Sequence, residues 1–347
     1  LALLYANKTV LLPHNIQTET LNSIATGKTK ILSDTVLHNT PVPVLLITAE
    51  QIVNTTIKLQ DLDAANITLK MFTSGSTGNP KLVLKKLSML EAEISELEKG
   101  WGKELPDSVF FSTVVHQHIY GLLFRILWPL CRGSMFATHL ITTPEELIPL
   151  YKKFKSIALI SSPAYLKRLQ LLETKDIFTE HKFHVFSSGG LLQLDTSQEM
   201  QRIFGTNPME VLGSTETGGV AYRTQKENNA AWTPFSVVQL KLDPDGQLLV
   251  RSPYIDAVDP TPMGDTAEFL ANSDRFILKG RIDKIVKIEE KRISLSEFES
   301  RLEEHQFVEK AVAEGYDYFL SLEQDIIPPA DIIEKLIAPD KKVISAY

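Results

Sequence analysis

Strand-like and helix-like segments alternate through most of this sequence, and this alternation limits the folds open to it. Ile67–Phe72 and Val109–Val115 are apolar runs typical of strands. Between them, apolar residues recur at helical spacing from Leu87 to Leu97, and Gly100 is a typical helix end. The alternation predicts an α/β fold of layered sheets and helices. A chain of 347 residues has room for two domains, or for one large domain and a smaller piece.

Two local signals give finer structural predictions. Ser162 followed by Pro163 is a good helix start, because proline suits the first helical position. Val237–Leu242 and Leu248–Arg251 flank the turn residues Asp243–Gly246, which predicts a β-hairpin.

Composition excludes several classes of protein. With 43% hydrophobic and 23% charged residues, the chain is neither disordered nor membrane-embedded in character. It has 36 Lys and Arg against 43 Asp and Glu and no long basic stretch, so no nucleic-acid or anionic-membrane partner is indicated. The longest apolar stretch, Tyr120–Cys131, contains Arg125 and is too short to span a bilayer. The single cysteine, Cys131, excludes an internal disulfide framework; we expect it to be a small buried residue in a cytoplasmic protein.

The strongest chemical signal is the segment Thr73–Lys81, which is rich in hydroxyl groups and glycines and ends in a lysine. Hydroxyls and closely approaching backbone N–H groups can surround phosphate oxygens, and lysine adds a positive charge. The segment is not a Walker loop, because Pro80 precedes the lysine and no Ser or Thr follows it. Taken alone, such a turn is more often a solvated loop.

This segment resembles the signature loop T-S-G-[ST]-T-G-x-P-K of the adenylate-forming, or AMP-binding, superfamily and matches it at every position. The superfamily includes acyl-CoA and aryl-CoA synthetases, luciferases and peptide-synthetase adenylation domains. These enzymes join a carboxylate to ATP, release pyrophosphate and pass the acyl group to a thiol. The resemblance implies phosphate-handling roles for Thr73, Ser74, Gly75, Ser76, Thr77, Gly78 and Lys81.

Two further matches follow in the order of the family. Val114–Gly121 resembles the segment whose histidine lies beside the carboxylate pocket, which implies that role for His118. Without the family, a lone histidine in an apolar stretch is as often a hydrogen-bonded core residue. Ser187–Gly190 resembles the strand-end turn in which Gly189 and Gly190 flank the adenine and the acyl group.

A third match, Gly213–Thr217, contains the G-x-T-E core of the family. It implies that Gly213, Ser214 and Thr215 contact the nucleotide and that Glu216 holds magnesium. A carboxylate suits this role, since Mg²⁺ in nucleotide sites takes one or two carboxylates plus phosphate oxygens. Without the resemblance, Glu216 would be interpreted as a solvated loop charge.

The last matches concern the ribose and a hinge. Asp265, after Gly264, resembles the aspartate that accepts hydrogen bonds from both ribose hydroxyls. Gly280–Lys284 resembles the G-R-x-D hinge, so Arg281 would contact ribose or phosphate and Asp283 would be the pivot between half-reactions. Arg292 matches a second arginine after the hinge. The alternative for each charge is a surface ion pair of little consequence.

The resemblance also predicts the domain organisation. Residues 1–282 would form the large α/β adenylation domain, truncated at its start and lacking its first strands. Residues 283–313 would begin a small, incomplete α+β lobe, and residues 314–347 are unassigned. In that tail, Tyr318–Pro329 resembles the metal-binding strand end of a nucleotide-sugar glycosyltransferase, with Glu323 and Asp325 as the acidic pair; an unremarkable strand and helix is the alternative.

Three departures from the family bear on function. Leu212 stands where many members have an aromatic residue on the adenine, which puts nucleotide affinity in question. Glu289 and Glu290 replace a small residue and a glycine that let the pantetheine arm approach, which favours a carrier protein as acceptor. Lys341 and Lys342 lack the glycine-lysine setting of the family's catalytic lysine. Together, Leu212, the paired glutamates and the segment Val115–Tyr120 are similar to ligases of bacterial aryl polyene or related acyl-chain synthesis.

The resemblance therefore implies an acid–thiol ligase that activates an aryl or fatty acid with ATP and Mg²⁺. Its acceptor would be CoA or the phosphopantetheine of an acyl carrier protein. Lys81, His118, Glu216 and Arg281 are the candidate catalytic residues. The alternative is a non-catalytic protein that binds nucleotide or acyl-adenylate.

Overall fold

The computed structural model describes residues 2–48, 60–74, 80–170, 172, 178, 181–228, 230–281, 285–288 and 291–294. The chain divides into two compact units, Leu1–Ile282 and Asp283–Tyr347. The described strands are β1 (Val10–Leu12), β2 (Ile31–Ser33), β3 (Val44–Leu46), β4 (Thr68–Ser74), β5 (Pro80–Lys86), β6 (Val109–Ser112), β7 (Ser156–Ser161), β8 (Lys182–Ser187), β9 (Met209–Ser214), β10 (Gly218–Thr224), β11 (Thr233–Pro234), β12 (Gln239–Leu242), β13 (Gln247–Arg251), β14 (Thr261–Phe269), β15 (Phe276–Arg281), β16 (Ile285–Ile288) and β17 (Lys291–Ser294). The described α-helices are α1 (Ala2–Tyr5), α2 (Thr18–Ile24), α3 (Leu87–Trp101), α4 (Ile119–Gly121), α5 (Trp128–Cys131), α6 (Leu147–Lys153), α7 (Pro163–Leu169) and α8 (Leu194–Phe204).

A six-stranded sheet organises the first unit, in the order β11-β10-β9-β8-β7-β6. Strands β6 to β9 run parallel, and β10 and β11 are antiparallel additions at one side. Helix α7 connects β7 to β8 and α8 connects β8 to β9, as parallel neighbours require a crossover. The carboxyl ends of four parallel strands therefore lie along one edge of the sheet.

Side chains alternate between the two faces of this sheet, and both faces are covered. Phe110 and Phe186 belong to a cluster on one face that includes Trp101 of α3. Phe111 and Leu159 belong to a cluster on the other face with residues of α7 and α8. Because β6 and β7 are buried on both sides, their sequences are nearly continuous apolar runs.

The described residues form four smaller sheets as well. Strands β12 to β15 form a four-stranded antiparallel sheet, β1, β4 and β5 form a three-stranded one, and β2 pairs with β3. In the second unit, β16 and β17 form a hairpin in which Lys287 lies opposite Arg292.

The predicted α/β architecture is confirmed, with two local corrections. The strand predicted at Val109–Val115 ends at Ser112, because the Ser112 hydroxyl accepts a hydrogen bond from the Val114 N–H (3.1 Å) and turns the chain. Cys131 is exposed, so the prediction of a buried cysteine is wrong; it lies at the end of α5, where the chain turns at Gly133. The helix start at Ser162 and the hairpin of β12 and β13 agree with the sequence prediction.

None of the helices within the described ranges is both long enough and apolar enough to cross a membrane.

Candidate functional site

Each of the four parallel strands ends in a serine: Ser112, Ser161, Ser187 and Ser214. The segments that follow three of these strands carry His118, Gly189 with Gly190, and Thr215 with Glu216. In open α/β sheets, ligands bind outside the carboxyl ends of the strands. The topology therefore brings three of the separate sequence motifs to one edge.

The turn between β9 and β10, residues Ser214–Gly218, is held by its own hydrogen bonds. The Ser214 hydroxyl accepts from the Thr217 N–H at 3.1 Å, and the Thr217 hydroxyl accepts from the Ser214 N–H at 3.2 Å. Gly218 has φ +69°, a left-handed conformation that favours glycine. A Cβ on Gly213 would lie 2.3 Å from the Gly218 carbonyl oxygen, so the turn excludes any larger residue there. These constraints give the backbone that carries Glu216 one defined shape.

Lys81 forms an ion pair with Glu216 in the candidate site. Its Nζ lies 3.3 Å from Glu216 Oε1, although the two residues come from motifs far apart in the chain. The Lys81 side chain is 61% exposed and that of Glu216 is 21% exposed, so both can reach a ligand from solvent. On the neighbouring strand β4, Thr73 is opposite Lys81 and is buried. The side chain of Ser74 and residues Gly75, Ser76, Thr77 and Gly78 lie outside the described residues.

The carboxylate of Glu216 suits a magnesium ion that arrives with a nucleotide. Within the part of the chain that the structure describes, no group of three or more His, Cys, Asp or Glu side chains could hold a metal by itself. A single accessible carboxylate is a sufficient protein ligand for Mg²⁺ when phosphate oxygens and waters supply the other ligands.

A second pair of predicted residues also lies together. Asp265 and Arg281 face each other across β14 and β15, with Arg281 Nη1 3.2 Å from Asp265 Oδ2. The Asp265 side chain is mostly buried, whereas that of Arg281 is about one-third exposed. Arg281 is therefore in a position to orient the Asp265 carboxylate.

The histidine predicted to lie beside the carboxylate pocket is at the start of a helix. His118 precedes α4, and a Cβ on Gly121 would lie 1.9 Å from the Val115 carbonyl oxygen, so the chain folds back tightly there. A π-helical segment, Leu122–Leu127, continues from α4. π-Helical turns occur frequently at functional sites.

The structure adds two buried charged residues that the sequence analysis missed. Lys85 on β5 donates to the backbone oxygens of Glu216 (3.0 Å) and Tyr254 (2.7 Å). Glu93 on α3 accepts a hydrogen bond from the Gly219 N–H. Burial lowers the pKa of Lys85 and raises the pKa of Glu93, and the charge of each opposes the shift of the other. One signal was available: Glu93 lies three residues after Leu90 and four before Leu97, on the apolar stripe of the helix.

Several predictions concern residues whose placement or side chains are not described. Asp283, Glu289, Glu290, the tail segment Tyr318–Pro329, and Lys341 with Lys342 lie outside the described residues. Arg292 lies within β17, and its side chain is outside the description.

The fold and the residues at the strand ends are typical of an α/β protein with its ligand site at the carboxyl edge of a parallel sheet. Residues 5–255 match the model of the AMP-binding enzyme family, so the chain belongs to this family. The predicted resemblance to adenylate-forming enzymes is confirmed.

Curated proteins with similar sequences support this family assignment. Acetyl-coenzyme A synthetase of Bartonella quintana (strain Toulouse) is 24% identical over 331 residues, covering 80% of this chain and 50% of the relative. The chain thus spans about half the length of the curated relatives that it matches.

Solved structures resemble the fold. A malonyl-CoA ligase in a product complex with methylmalonyl-CoA and AMP has a TM-score of 0.69 at 20% identity, covering 88% of this chain and 74% of the ligase. An o-succinylbenzoate CoA synthetase of Bacillus subtilis has a TM-score of 0.68 at 17% identity, covering 88% and 70%.

Proposed function

We propose that this chain catalyses the ATP-dependent activation of a carboxylic acid as an acyl-adenylate, followed by transfer of the acyl group to a thiol. The observation that carries the proposal is the pairing of Lys81 with Glu216 at the carboxyl edge of the sheet. This pair brings a cation for phosphate oxygens next to a carboxylate for a phosphate-bound Mg²⁺.

In the first half-reaction, a carboxylate oxygen of the acid attacks the α-phosphorus of ATP, and the bond from this phosphorus to the pyrophosphate oxygen breaks. The reaction needs no side-chain nucleophile, so the protein's part is to position the reactants and stabilise developing charge. Lys81 would turn from Glu216 to the phosphate oxygens, as its exposed side chain allows. Glu216 would hold Mg²⁺, which when bound neutralises phosphate charge.

Other residues would hold the rest of the nucleotide. Asp265, oriented by Arg281, would accept hydrogen bonds from the ribose hydroxyls. Gly189 and Gly190, after β8, would flank the adenine and the acyl group, and His118 would lie beside the reacting carboxylate. Asp283 would be the pivot of the hinge, and Arg292 a second nucleotide contact.

The acid and the thiol are proposed at a coarser level. The two CoA ligases and the acetyl-CoA synthetase named above act on acids of different size, and their names share CoA as the thiol. We propose an aryl or fatty acid as substrate, with CoA or a carrier protein's phosphopantetheine as acceptor. Glu289 and Glu290, in place of a small residue and glycine, favour the carrier protein.

The first test is a thermal-shift titration with AMP and with a non-hydrolysable aroyl-adenylate mimic. A ligand at 100 times its dissociation constant stabilises the folded state by about 2.7 kcal/mol, which gives a readily measured shift. We expect stabilisation by both ligands and a larger effect of the mimic. The absence of any shift with a folded protein would contradict the proposal.

A matched pair of variants identifies the site. Asp265→Asn should lose most of the shift, because its amide cannot accept two ribose hydrogen bonds as the carboxylate does. Glu268→Gln is the control: Glu268 is on the same strand and pairs with Lys279 of the same neighbouring strand at 2.6 Å, but both side chains are more than half exposed. Equal losses in both variants would exclude the assigned ribose site.

Turnover is tested by pyrophosphate release with MgATP and a panel of acetate, medium-chain fatty acids and aromatic acids. Release that depends on one class of acid identifies the substrate class. Adenylate binding without release for any acid would favour a binding protein over a ligase.

A further inference from the structure

A buried lysine and a buried glutamate enclose the turn that carries Glu216. On β5, Lys81, Val83 and Lys85 share one face, because side chains alternate along a strand. This face lies against the core: the residues opposite on β4 are Thr73, Met71 and Leu69, all buried. Two lysines four residues apart thus project toward the same turn: Lys81 is exposed to solvent, and Lys85 is buried.

The two lysines contact different parts of Glu216. Lys81 contacts the carboxylate, whereas Lys85 Nζ donates to the backbone oxygen at 3.0 Å. Lys85 is 1% exposed and also donates to the Tyr254 oxygen at 2.7 Å. These two acceptors are 131 and 169 residues away from Lys85 in sequence, so one ammonium group joins three segments of the chain.

Glu93 contacts the backbone where the turn enters β10. It is 4% exposed and accepts the hydrogen bond of the Gly219 N–H. A Cβ added to Gly218 would lie 2.9 Å from Glu93 Oε2, and one added to Gly219 would lie 3.2 Å from Oε1. The carboxylate therefore packs directly against the backbone of both glycines. Its negative charge also offsets the buried charge of Lys85.

Together, Lys85 and Glu93 hold the backbone that follows the Glu216 side chain, at the Glu216 carbonyl and at the Gly219 amide. Stability alone does not explain this arrangement, because well-packed apolar residues often replace a buried ion pair without loss. Both charges are directed to backbone groups of the turn, as expected for residues that set its position.

We propose that Lys85 and Glu93 are positioning residues that fix the Glu216 turn and so aim its carboxylate at the magnesium of bound MgATP. The inference rests on the proposed adenylation function. Groups that orient a metal ligand typically change metal affinity or activity 10- to 100-fold when they are removed.

The test measures ATP binding by calorimetry in excess MgCl₂ and in EDTA, and AMP binding in EDTA. The ratio of the two ATP dissociation constants gives the affinity gained from Mg²⁺. In Lys85→Met we expect this gain to fall about tenfold. Metal-free AMP binding should weaken less than MgATP binding, because AMP does not need the Glu216 carboxylate.

A second variant keeps the test valid if Lys85→Met does not fold. Lys85→Met/Glu93→Gln removes both buried charges, so neither is left without the other. The amide oxygen introduced at position 93 could still accept from the Gly219 N–H, while the backbone oxygens of Glu216 and Tyr254 lose their lysine donor. We expect the same loss of the Mg²⁺ gain in this double variant. Lys85→Arg, which retains a cationic donor, should recover part of it.

Two controls separate positioning from general destabilisation. Lys86→Met removes the next lysine, whose ion pair with Asp256 (2.7 Å) is at the surface. Arg223→Met/Glu210→Gln neutralises a buried ion pair between β9 and β10, at the end of these strands away from the Glu216 turn. Both controls should retain the wild-type Mg²⁺ gain.

The outcomes distinguish the two proposals. If wild-type protein binds neither AMP nor the adenylate mimic, the proposed function fails. If it binds them but the Lys85 variants keep the full Mg²⁺ gain, or weaken AMP and MgATP binding equally, the positioning inference is wrong.

Discussion

Two pairs of buried, oppositely charged residues contact opposite ends of the ribbon formed by β9 and β10: Arg223 with Glu210, and Lys85 with Glu93. At the end away from the turn, Arg223 Nε is 2.8 Å from Glu210 Oε1, and Nη2 is 3.2 Å from Oε2. The two residues are 13 apart in sequence and directly opposite each other across the strands. At the turn end, the charges of Lys85 and Glu93 are directed to backbone groups of distant segments.

This difference separates two uses of a buried charge. Arg223 and Glu210 direct most of their hydrogen bonds to each other; Arg223 Nη1 also donates to the Ala230 oxygen at 3.2 Å, and the guanidinium lies over the Trp232 ring at 4.4 Å. None of these contacts involves the Ser214–Gly218 turn. Lys85 and Glu93 direct their hydrogen bonds to the turn and to Tyr254, so we expect their removal to alter the position of Glu216. We therefore expect the first pair to act on stability and the second on ligand binding.

The largest expected effect is on stability, in Arg223→Met. The change leaves Glu210 buried without its partner, which should lower the free energy of unfolding by about 3–5 kcal/mol. Urea unfolding followed by circular dichroism measures this loss. The double variant Arg223→Met/Glu210→Leu should recover most of it, since the apolar pair leaves no buried charge. A single-variant loss under about 1 kcal/mol would remove the basis of the comparison.

Gly218→Ala should give the next largest effect, because it acts at the turn end. An alanine with φ near +69° costs about 1–2 kcal/mol, and its Cβ would lie 2.9 Å from Glu93 and 3.0 Å from Tyr254, which adds about 1–3 kcal/mol. Gly246→Ala is the matched control: φ is +80° and no atom lies within 4 Å of the new Cβ. Gly218→Ala should also reduce the Mg²⁺ gain in ATP binding, and Gly246→Ala should not. Equal destabilisation of the two variants would contradict the close packing of Glu93 on the turn.

Local sequence signals predicted the parts of the fold that depend on neighbours in the chain. In the hairpin of β12 and β13, Asp243 Oδ1 accepts from the N–H groups of Asp245 and Gln247, so the turn residues themselves determine the turn. The predicted strand at Val109–Val115 was too long because a single serine hydroxyl redirects the chain after Ser112. Apolar composition alone cannot reveal such a hydrogen bond.

In the candidate site, too, the sequence predicted the residues that stand in local motifs and missed those whose role depends on distant parts of the chain. Lys81, Glu216, Asp265 and Arg281 stand in short motifs, and the structure brings them together as two pairs. Lys85 and Glu93 belong to none of these motifs, and their acceptors and donors are 126 or more residues away. A buried charge acquires its role from tertiary partners, so the sequence indicates it only as a charged residue at an apolar position.

The smallest expected effect concerns a partly buried histidine that has no ion pair among the described residues. His184 lies on β8 in the same sheet, and its Nε2 has no hydrogen-bond partner among the described residues. Burial lowers the pKa of His184; Lys182 adds to this shift, and Glu104 opposes it. The folded protein therefore binds fewer protons at this histidine than the unfolded chain does. Its contribution to the free energy of unfolding is present above the ordinary pKa of about 6.5 and is lost as the pH falls below it.

Urea unfolding at pH 7.5 and pH 5.5 should show this decline in the free energy of unfolding. His184→Gln should reduce the decline by less than about 1 kcal/mol, since the ring is partly accessible to solvent. His14, whose pKa burial also lowers, should preserve a remaining slope. An unchanged slope in His184→Gln would mean that the ring is not the proton-linked group, and that an unpaired titratable side chain can lie in this sheet without affecting its stability.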